Sequence, residues 1–285
     1  MPHVQQFEVV VERVIPETAD TVTLELFAPQ APPYKAGQFL TIDPKQFRAL
    51  KGYAAYLEQQ KGKKELVRAY SLCSAPHERR LAFTIKEEPF VPGETPYPPL
   101  LSPLLVYGVA PGMAMEVTGF TGTYVLPEDA ESRVDTVLHL VAGSGSVPNF
   151  SLLKHDLHAG SKLRHVFVYA NRTHDDIIYR GQLAALARQH PERLELVHLL
   201  TRDPEAHRHG PGHRHARLSP ELLQELVRDP ARTEAFVCGP GVTVFQRKAA
   251  LAKGEKAAPR FIENALEMLQ GLGVPKKQIH HESYG

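Results

Sequence analysis

Residues 7–120 alternate short apolar runs with turn-forming segments. Six runs are rich in β-branched and aromatic residues, and proline- and glycine-rich connections separate them. These runs are Phe7–Val14, Thr21–Phe27, Gln38–Ile42, Val67–Leu72, Leu81–Lys86 and Met113–Val117. Because no long amphipathic helix lies between them, the pattern predicts a small antiparallel β-barrel.

From Val134 onward, apolar runs alternate with segments of helical spacing. The predicted strands are Asp135–Val141, Arg164–Ala170, Leu194–Leu200, Thr233–Cys238 and Gln278–Tyr284. The predicted helices are Pro148–His158, Asp175–His190, Pro220–Val227, Val242–Ala252 and Pro259–Gln270. This alternation predicts an α/β domain with a doubly wound parallel sheet. The short polar segment Glu128–Arg133 is a predicted linker, so the expected domains are residues 1–130 and 131–285.

Two inserts interrupt the predicted barrel. Asp43–Leu66 is longer than a hairpin needs, and residues 47–60 within it are compatible with a helix. Its basic residues outnumber Glu58 and Glu65; they are Lys45, Arg48, Lys51, Lys61, Lys63 and Lys64. The insert is either a solvated loop or a docking face for an acidic partner, and the sequence leaves both open. Pro89–Pro103 is rich in proline, which excludes regular helix and central strand, so we expect an extended flap.

The size and composition of the chain limit its function. A length of 285 residues suggests two domains. A formal net charge of +1 indicates binding to neither nucleic acid nor a membrane surface. No apolar run is long enough for a membrane span, and the N-terminal residues have no signal-peptide pattern. Cys73 and Cys238 lie in apolar runs, so we expect thiols of a reducing compartment and a cytoplasmic location.

The segment Arg68-Ala69-Tyr70-Ser71-Leu72-Cys73-Ser74 combines a cation, a phenol and two hydroxyls. In a strand, Arg68, Tyr70, Leu72 and Ser74 share one face, which offers a guanidinium to phosphate and an aromatic ring to a flat cofactor. An ordinary barrel strand with a satisfied arginine is the alternative. The pattern Arg-x-Tyr-Ser-x-x-Ser resembles the flavin-binding signature of the ferredoxin–NADP reductase family.

That resemblance implies a role for each polar residue of the motif. Arg68 and Ser74 would meet the FAD pyrophosphate, Tyr70 would stack on the isoalloxazine, and Ser71 would sit beside flavin N5. Ser102, which precedes a proline, resembles the family's serine at the start of a short helix facing the pyrophosphate. The first domain is therefore expected to bind FAD.

A second cluster lies where the first strand of the α/β domain ends. Gly143-Ser144-Gly145-Ser146-Val147-Pro148 lets backbone amides approach a pyrophosphate at a helix N-terminus. A plain strand–helix turn would also explain it. Gly143, Gly145 and Pro148 together resemble the family's Gly-x-Gly-x-x-Pro loop for a nicotinamide dinucleotide, so the second domain is expected to bind NAD(P).

Arg172 and Thr173 follow the second strand of that sheet, at the position that recognises the adenosine ribose. An acidic residue there favours NAD, whereas a cation accommodates the 2′-phosphate of NADP. Because Arg172 is a cation and Asp175 and Asp176 come only later, NADPH is favoured over NADH.

Two further segments resemble the family near the nicotinamide. Cys238-Gly239-Pro240 matches its Cys-Gly-Pro turn, in which the cysteine is a positioning group and not a nucleophile. The closing residues match its Glu-x-aromatic end, so Glu282 would join the hydrogen bonds around N5 and Tyr284 would cover the flavin face opposite Tyr70. A buried structural cysteine and an exposed tail are the alternatives.

His207, His209, His213 and His215 form a histidine-rich run that could bind a metal. The pattern indicates no ordered element that would fix their geometry, so we expect a hydrophilic loop and no metal site.

The implied activity is hydride transfer from nicotinamide C4 to FAD N5, with Ser71, Cys238 and Glu282 around the reacting atoms. Two cysteines cannot ligate a plant-type iron–sulfur cluster, so the electron acceptor is expected to be separate: a ferredoxin, a flavodoxin or an oxygenase component. A flavin or quinone reductase with a small-molecule acceptor, and a non-catalytic flavin-binding module, stay open as alternatives.

Overall fold

The structure is a computed structural model that describes residues 5–87, 90–93 and 95–284. The chain divides into two compact units, Met1–Val125 and Leu126–Gly285. The first four residues, and Pro89 and Glu94 of the expected flap, lie outside the described residues.

The first unit is built on an antiparallel sheet in the strand order β4-β3-β6-β1-β2-β5. Its strands are β1 (Gln5–Thr18), β2 (Thr21–Phe27), β3 (Phe39–Ile42), β4 (Arg68–Ser71), β5 (Leu81–Lys86) and β6 (Ala114–Thr121). An antiparallel bridge between Leu72 and Phe83 joins the chain after β4 to β5. The two edges of the sheet therefore meet, and the predicted antiparallel barrel is confirmed.

Apolar side chains at alternate positions along the strands fill the interior of the barrel. Phe7, Val9 and Val11 are buried on β1, while Glu8 between them is exposed. Leu24, Leu40 and other apolar residues of neighbouring strands complete this core. Burial of every second side chain is what a strand with one covered face requires.

The first insert contains helix α1 (Lys51–Lys61), which begins later than expected because two short 3-10 turns precede it. Ala54 and Leu57 of α1 are buried with Leu100 in a small separate cluster. The described part of the proline-rich segment has no regular helix before Ser102, and it packs on α1 through Tyr97 and Leu100. One π-helical turn, Leu104–Gly108, follows Pro103.

The second unit is a parallel sheet in the order β10-β9-β8-β7-β11-β12. The strands are β7 (Thr136–Ala142), β8 (Arg164–Asn171), β9 (Leu194–Leu200), β10 (His213–Arg214), β11 (Thr233–Gly239) and β12 (Ile279–Ser283). The helices are α2 (Ala130–Arg133), α3 (Ser146–Ala159), α4 (Arg180–Gln189), α5 (Pro220–Leu226), α6 (Val244–Ala252) and α7 (Phe261–Leu272). The predicted α/β class is confirmed.

Two segments of this unit differ in detail from their predictions. The helix expected over Asp175–His190 begins only at Arg180, because Tyr179 adopts a left-handed φ of 59° after a 3-10 turn. The segment expected to be a linker contains α2.

The histidine-rich run is more ordered than the expected loop. Ala206–His209 forms a 3-10 turn, and His213 lies on β10 beside His198 of β9. Their rings stack at 4.5 Å between centroids, and His209 stacks on His174 at 3.8 Å. These ring contacts, which the sequence spacing did not reveal, fix the segment at the sheet edge.

The described residues contain neither a metal-ligand cluster nor a membrane-spanning helix. No group of three or more His, Cys, Asp or Glu residues there could hold a metal ion. None of the helices in the described ranges has the length and apolarity needed to cross a membrane.

Candidate functional site

Arg68 opens strand β4 and is held by two acceptors. Its Nη2 donates to Glu65 Oε2 over 2.7 Å, and its Nη1 donates to the Leu66 carbonyl over 2.5 Å. The Arg68 side chain keeps 33% of its exposure, whereas that of Glu65 keeps 4%. A partly exposed guanidinium with a fixed orientation is suited to bind an anion from one side.

The rest of the motif divides between strand and barrel interior. Tyr70 is half-buried and its ring lies 5.5 Å from that of Phe83, while Ser71 is buried at the end of β4. The expected alternation stops there, because Leu72 and Ser74 are both buried where the chain turns to bridge to β5. Arg68 and Tyr70 therefore share partial exposure that Ser74 lacks.

Ser74 is engaged inside the barrel unit. Its hydroxyl accepts the amide of Ala82 at 3.0 Å and lies 2.8 Å from the hydroxyl of Tyr34. Burial raises the pKa of Tyr34, so its phenol stays protonated. Ser102 is also buried, at the start of the helical turn that Pro103 continues. The expected FAD contacts of Ser74 and Ser102 stay predictions.

In the second unit, the glycine turn links the end of β7 to α3. Gly143 has a φ of 54°, and a Cβ at this residue would meet no atom within 4 Å. The N-cap residue of α3 is Gly145, which has no side chain to cap the helix, and Pro148 lies in its first turn as predicted. Open space above Gly143, next to the N-terminal amides of this helix, fits the approach of a pyrophosphate.

Gly145 is required by close packing. A Cβ there would lie 2.1 Å from the Cys238 carbonyl oxygen and 2.7 Å from the Gly239 nitrogen. The glycine turn and the Cys-Gly-Pro turn, which are far apart in sequence, therefore touch at the ends of the adjacent strands β7 and β11. In the strand order, β8 lies on one side of β7 and β11 on the other, so this contact marks the topological switch point.

Two buried side chains that the sequence did not single out hold this turn. The Tyr169 hydroxyl donates to the Gly143 carbonyl over 2.9 Å, and Asn149 Nδ2 donates to the Gly145 carbonyl over 3.3 Å. Asn149 Oδ1 lies 2.8 Å from Nδ1 of the fully buried His139. The sequence signal was His139, a polar residue within the apolar strand β7, but the groups that it contacts depend on the fold.

Arg172 and Thr173 follow β8, and their backbone has defined partners. The Arg202 amide, after β9, donates to the Arg172 carbonyl over 2.7 Å, so two exposed arginines meet at neighbouring strand ends. Thr173 donates to Asp176 through its amide and its hydroxyl, at 2.9 and 2.8 Å. Asp176 is thus used as a helical cap, and Arg202 is a cation that the sequence reading missed.

Cys238 is completely buried on β11. Burial, and the nearby Glu282, raise the pKa of its thiol well above the ordinary value, although a hydrogen bond with the Tyr284 side chain opposes this. A neutral thiol is a poor nucleophile, which agrees with the absence of a covalent role in the prediction.

The closing residues lie beside the Cys-Gly-Pro turn. Glu282 pairs in register with Cys238, and the Tyr284 amide donates to the Gly239 carbonyl over 2.9 Å. Pro240 continues into Gly241, whose Cβ would lie 2.4 Å from Ser283 Oγ. Ile279–Ser283 is therefore a strand of the sheet, although the expected contact of Tyr284 with a flavin stays a prediction.

Glu263 of α7 supports the same turn. Its two carboxylate oxygens accept the amides of Val242 and Arg260 at 2.9 and 3.1 Å. These backbone bonds, together with Arg247, hold the pKa of Glu263 below its ordinary value against the opposing effect of burial. Glu263 was also not predicted from the sequence.

Known proteins resemble both parts of the chain. Residues 140–247 match the family described as Oxidoreductase NAD-binding domain. The ferredoxin reductase component of the 3-ketosteroid-9-alpha-monooxygenase of Mycolicibacterium smegmatis is 29% identical over 285 residues, covering 97% of this chain and 65% of that protein. One subunit of the 1,2-phenylacetyl-CoA epoxidase of Escherichia coli is 26% identical over 282 residues, covering 96% and 66%. The chain thus spans just under two thirds of the length of both relatives.

A solved structure agrees with the fold. A ferredoxin NADP+ reductase from Neisseria gonorrhoeae with bound FAD and NADP superposes with a TM-score of 0.68 at 20% identity, with 99% of each chain covered. At this identity the similarity concerns the architecture of a barrel followed by a parallel sheet.

Proposed function

We propose that the chain is a member of the ferredoxin–NADP reductase family of oxidoreductases, a flavoprotein that oxidises NADPH and reduces a separate electron acceptor. The observation that supports this best is the packing of Gly145 on Cys238 at the switch point of the parallel sheet. Dinucleotides bind outside the carboxyl ends of strands at such points.

Each proposed domain has its own cofactor. FAD belongs to residues 1–130, through Arg68, Tyr70, Ser71, Ser74 and Ser102. The dinucleotide belongs to residues 131–285, through Gly143, Gly145, Pro148, Arg172, Thr173, Cys238, Gly239 and Pro240. When bound, the nicotinamide supplies a hydride and the flavin accepts it and passes on electrons.

The protein's own contribution is positioning. The neutral, buried Cys238 gives the nicotinamide pocket an apolar wall without a competing charge. Glu282, in register beside it, is proposed to complete the hydrogen bonds around flavin N5, and Tyr284 to cover the ring until nicotinamide arrives. Stacking of this kind contributes about 1 kcal/mol, so the substrate ring can displace it.

NADPH is the proposed donor. Arg172 and Arg202 place two exposed cations at the ends of β8 and β9, where a 2′-phosphate would add charge-assisted hydrogen bonds. Replacing both arginines by alanine should raise the Michaelis constant for NADPH at least about tenfold and leave that for NADH within about twofold. Equal effects on the two nucleotides would exclude 2′-phosphate recognition at this point.

The proposed acceptor is a ferredoxin, a flavodoxin or an oxygenase component. The curated relatives include the ferredoxin reductase component of a monooxygenase and one subunit of an epoxidase. In this chain, Lys63 and Lys64 are exposed after α1, next to exposed Leu66 and Val67. An acidic partner would be attracted to such a surface, and its reduction rate should fall as salt screens the charges. A cytoplasmic location is proposed on the basis of two buried cysteine thiols.

An absorption spectrum of the purified protein tests the central proposal. We expect a flavin spectrum that NADPH bleaches at lower concentration than NADH under anaerobic conditions. Arg68→Ala should release the flavin, whereas substitution of Tyr284 should change nucleotide selectivity and retain it. A colourless protein that FAD cannot reconstitute would contradict the proposal, and rapid reduction of free flavin or quinone without a protein partner would favour the small-molecule reductase.

A further inference from the structure

The first insert, part of which was proposed above to attract the electron acceptor, also contacts the residue assigned to the FAD pyrophosphate. Glu65, near its end, accepts from Arg68 Nη2 at 2.7 Å, and the Glu65 side chain keeps only 4% of its exposure. A buried carboxylate holds its partner more firmly than an exposed carboxylate does. Removing the partner would leave an uncompensated charge in the protein interior.

Glu65 is itself fixed from two sides. Lys61, in the last turn of α1, donates to Glu65 Oε1 over 2.5 Å, and the Glu65 amide donates to Glu58 Oε1 over 2.9 Å. Lys45 in turn lies 3.4 Å from that same Glu58 oxygen. The hydrogen bonds from Lys61 and Arg68 lower the pKa of Glu65 against the effect of burial, so the carboxylate is charged.

Helix α1 also holds the segment that leads to Ser102. Leu57 and Ala54 are buried against Leu100, the Tyr53 hydroxyl donates to the Pro98 carbonyl over 2.9 Å, and Lys61 lies 5.3 Å from the centre of the Tyr97 ring. One helix of the insert therefore contacts the segment that leads to Ser102 directly, and it is linked to Arg68 through Glu65.

We propose that Glu65 is a positioning residue for FAD binding, and that the insert holds it under Arg68. This inference rests on the function proposed above. A guanidinium has five N–H donors in a planar fork, and the Glu65 and Leu66 contacts use one on each terminal nitrogen. The orientation of the remaining donors is thereby set before FAD arrives, which lowers the entropic cost of binding.

The test is a double-mutant cycle on FAD affinity, measured by the quenching of FAD fluorescence when apo-protein is added. Glu65→Ala should raise the Kd for FAD roughly tenfold, and Arg68→Ala should raise it at least as much. Because Glu65 acts through Arg68, the double variant should bind no more weakly than Arg68→Ala, to within about twofold. Glu25→Ala is the matched control, since Glu25 also pairs with an arginine, Arg13, in the same barrel. It should leave the Kd unchanged.

Two results would overturn the role of Glu65. One is an unchanged or lower Kd for FAD in Glu65→Ala. The other is a double variant in which the increase in Kd equals the product of the two single increases. If circular dichroism shows that Glu65→Ala is unfolded, Glu65→Gln keeps the side-chain volume and should still raise the Kd at least about threefold. Wild-type protein that fails to bind FAD contradicts the proposed function itself, whereas wild-type binding with no effect of either Glu65 substitution contradicts only this inference.

Discussion

The hydroxyl of Tyr169, on the second strand of the parallel sheet, donates to the carbonyl of Gly143 over 2.9 Å. The same oxygen lies 2.9 Å from Ser146 Oγ and accepts the Ile178 amide at 3.3 Å. One fully buried phenol thus ties the glycine turn to the first residue of α3 and to the chain before α4. This bond therefore helps to fix the geometry of the turn.

Tyr169→Phe should weaken nucleotide binding and stability together. Loss of the hydroxyl leaves the Ile178 amide and the Gly143 carbonyl with one fewer partner, at a cost of about 1–3 kcal/mol. We expect the Kd for NADPH, measured by calorimetry, to rise about three- to tenfold because the turn is less restrained. Tyr107→Phe is the control: its hydroxyl also donates to one group, Glu87, but it lies in the barrel unit. A Tyr169→Phe protein with wild-type affinity would show that the bond is not needed.

Two glycine substitutions in the turn should differ in their effect on folding. Gly145→Ala forces a Cβ to within 2.1 Å of the Cys238 carbonyl, a backbone atom that cannot move aside cheaply. Gly143→Ala meets no atom but keeps a strained positive φ, at a cost of about 1–2 kcal/mol. Urea unfolding should therefore show a larger loss of stability for Gly145→Ala. The reverse order would contradict the packing of this turn on β11.

Acid should destabilise the second unit through its buried histidines. Burial and the neighbouring His165 lower the pKa of His139 to about 3, although Asn149 and Asp156 oppose this, and burial also lowers the pKa of His165. Unfolded histidine binds a proton below about pH 6.5, whereas folded His139 does not, so stability is intact above that pH. It should fall as the pH drops, by up to about 1.4 kcal/mol per pH unit for each such histidine.

His139→Leu provides the check, by urea unfolding between pH 8 and pH 5. The substitution should lower stability at pH 8, because Asn149 and His165 each lose a contact. It should also make the free energy of unfolding less dependent on pH below pH 6.5, by the equivalent of about one proton. Val141→Ala, in the same strand, should lower stability without changing the slope. An unchanged slope in His139→Leu would mean that His139 is not the titrating group.

Neither cysteine should react with iodoacetamide in the native protein. Cys238 is fully buried with a raised pKa, and Cys73 is 4% exposed. Mass spectrometry after labelling at pH 7.5 should find both thiols unmodified in the native state and both modified in urea. Rapid native labelling of Cys238 would contradict the neutral, inaccessible thiol on which its assigned role depends.

Much of this architecture could be predicted because it is periodic. The strands Thr21–Phe27, Leu81–Lys86 and Leu194–Leu200 have the predicted bounds, since β-branched runs between turn residues are local signals. The motif residues also fell at strand ends as expected, because glycine and proline mark where the chain turns. Arg68 on β4 and Cys238 on β11 are the clearest cases.

The sequence itself determined which residues are able to form strands, which turns require glycine, and which polar groups are available for anions. It could not determine the partners of those groups, because partnership depends on strand order and helix packing across long separations in the chain. Tertiary structure alone placed Tyr169 beneath Gly143 and the Cys238 carbonyl against Gly145. Hydrogen bonds and close contacts form between groups that are near each other in space. The sequence pattern therefore identifies these groups but not their partners.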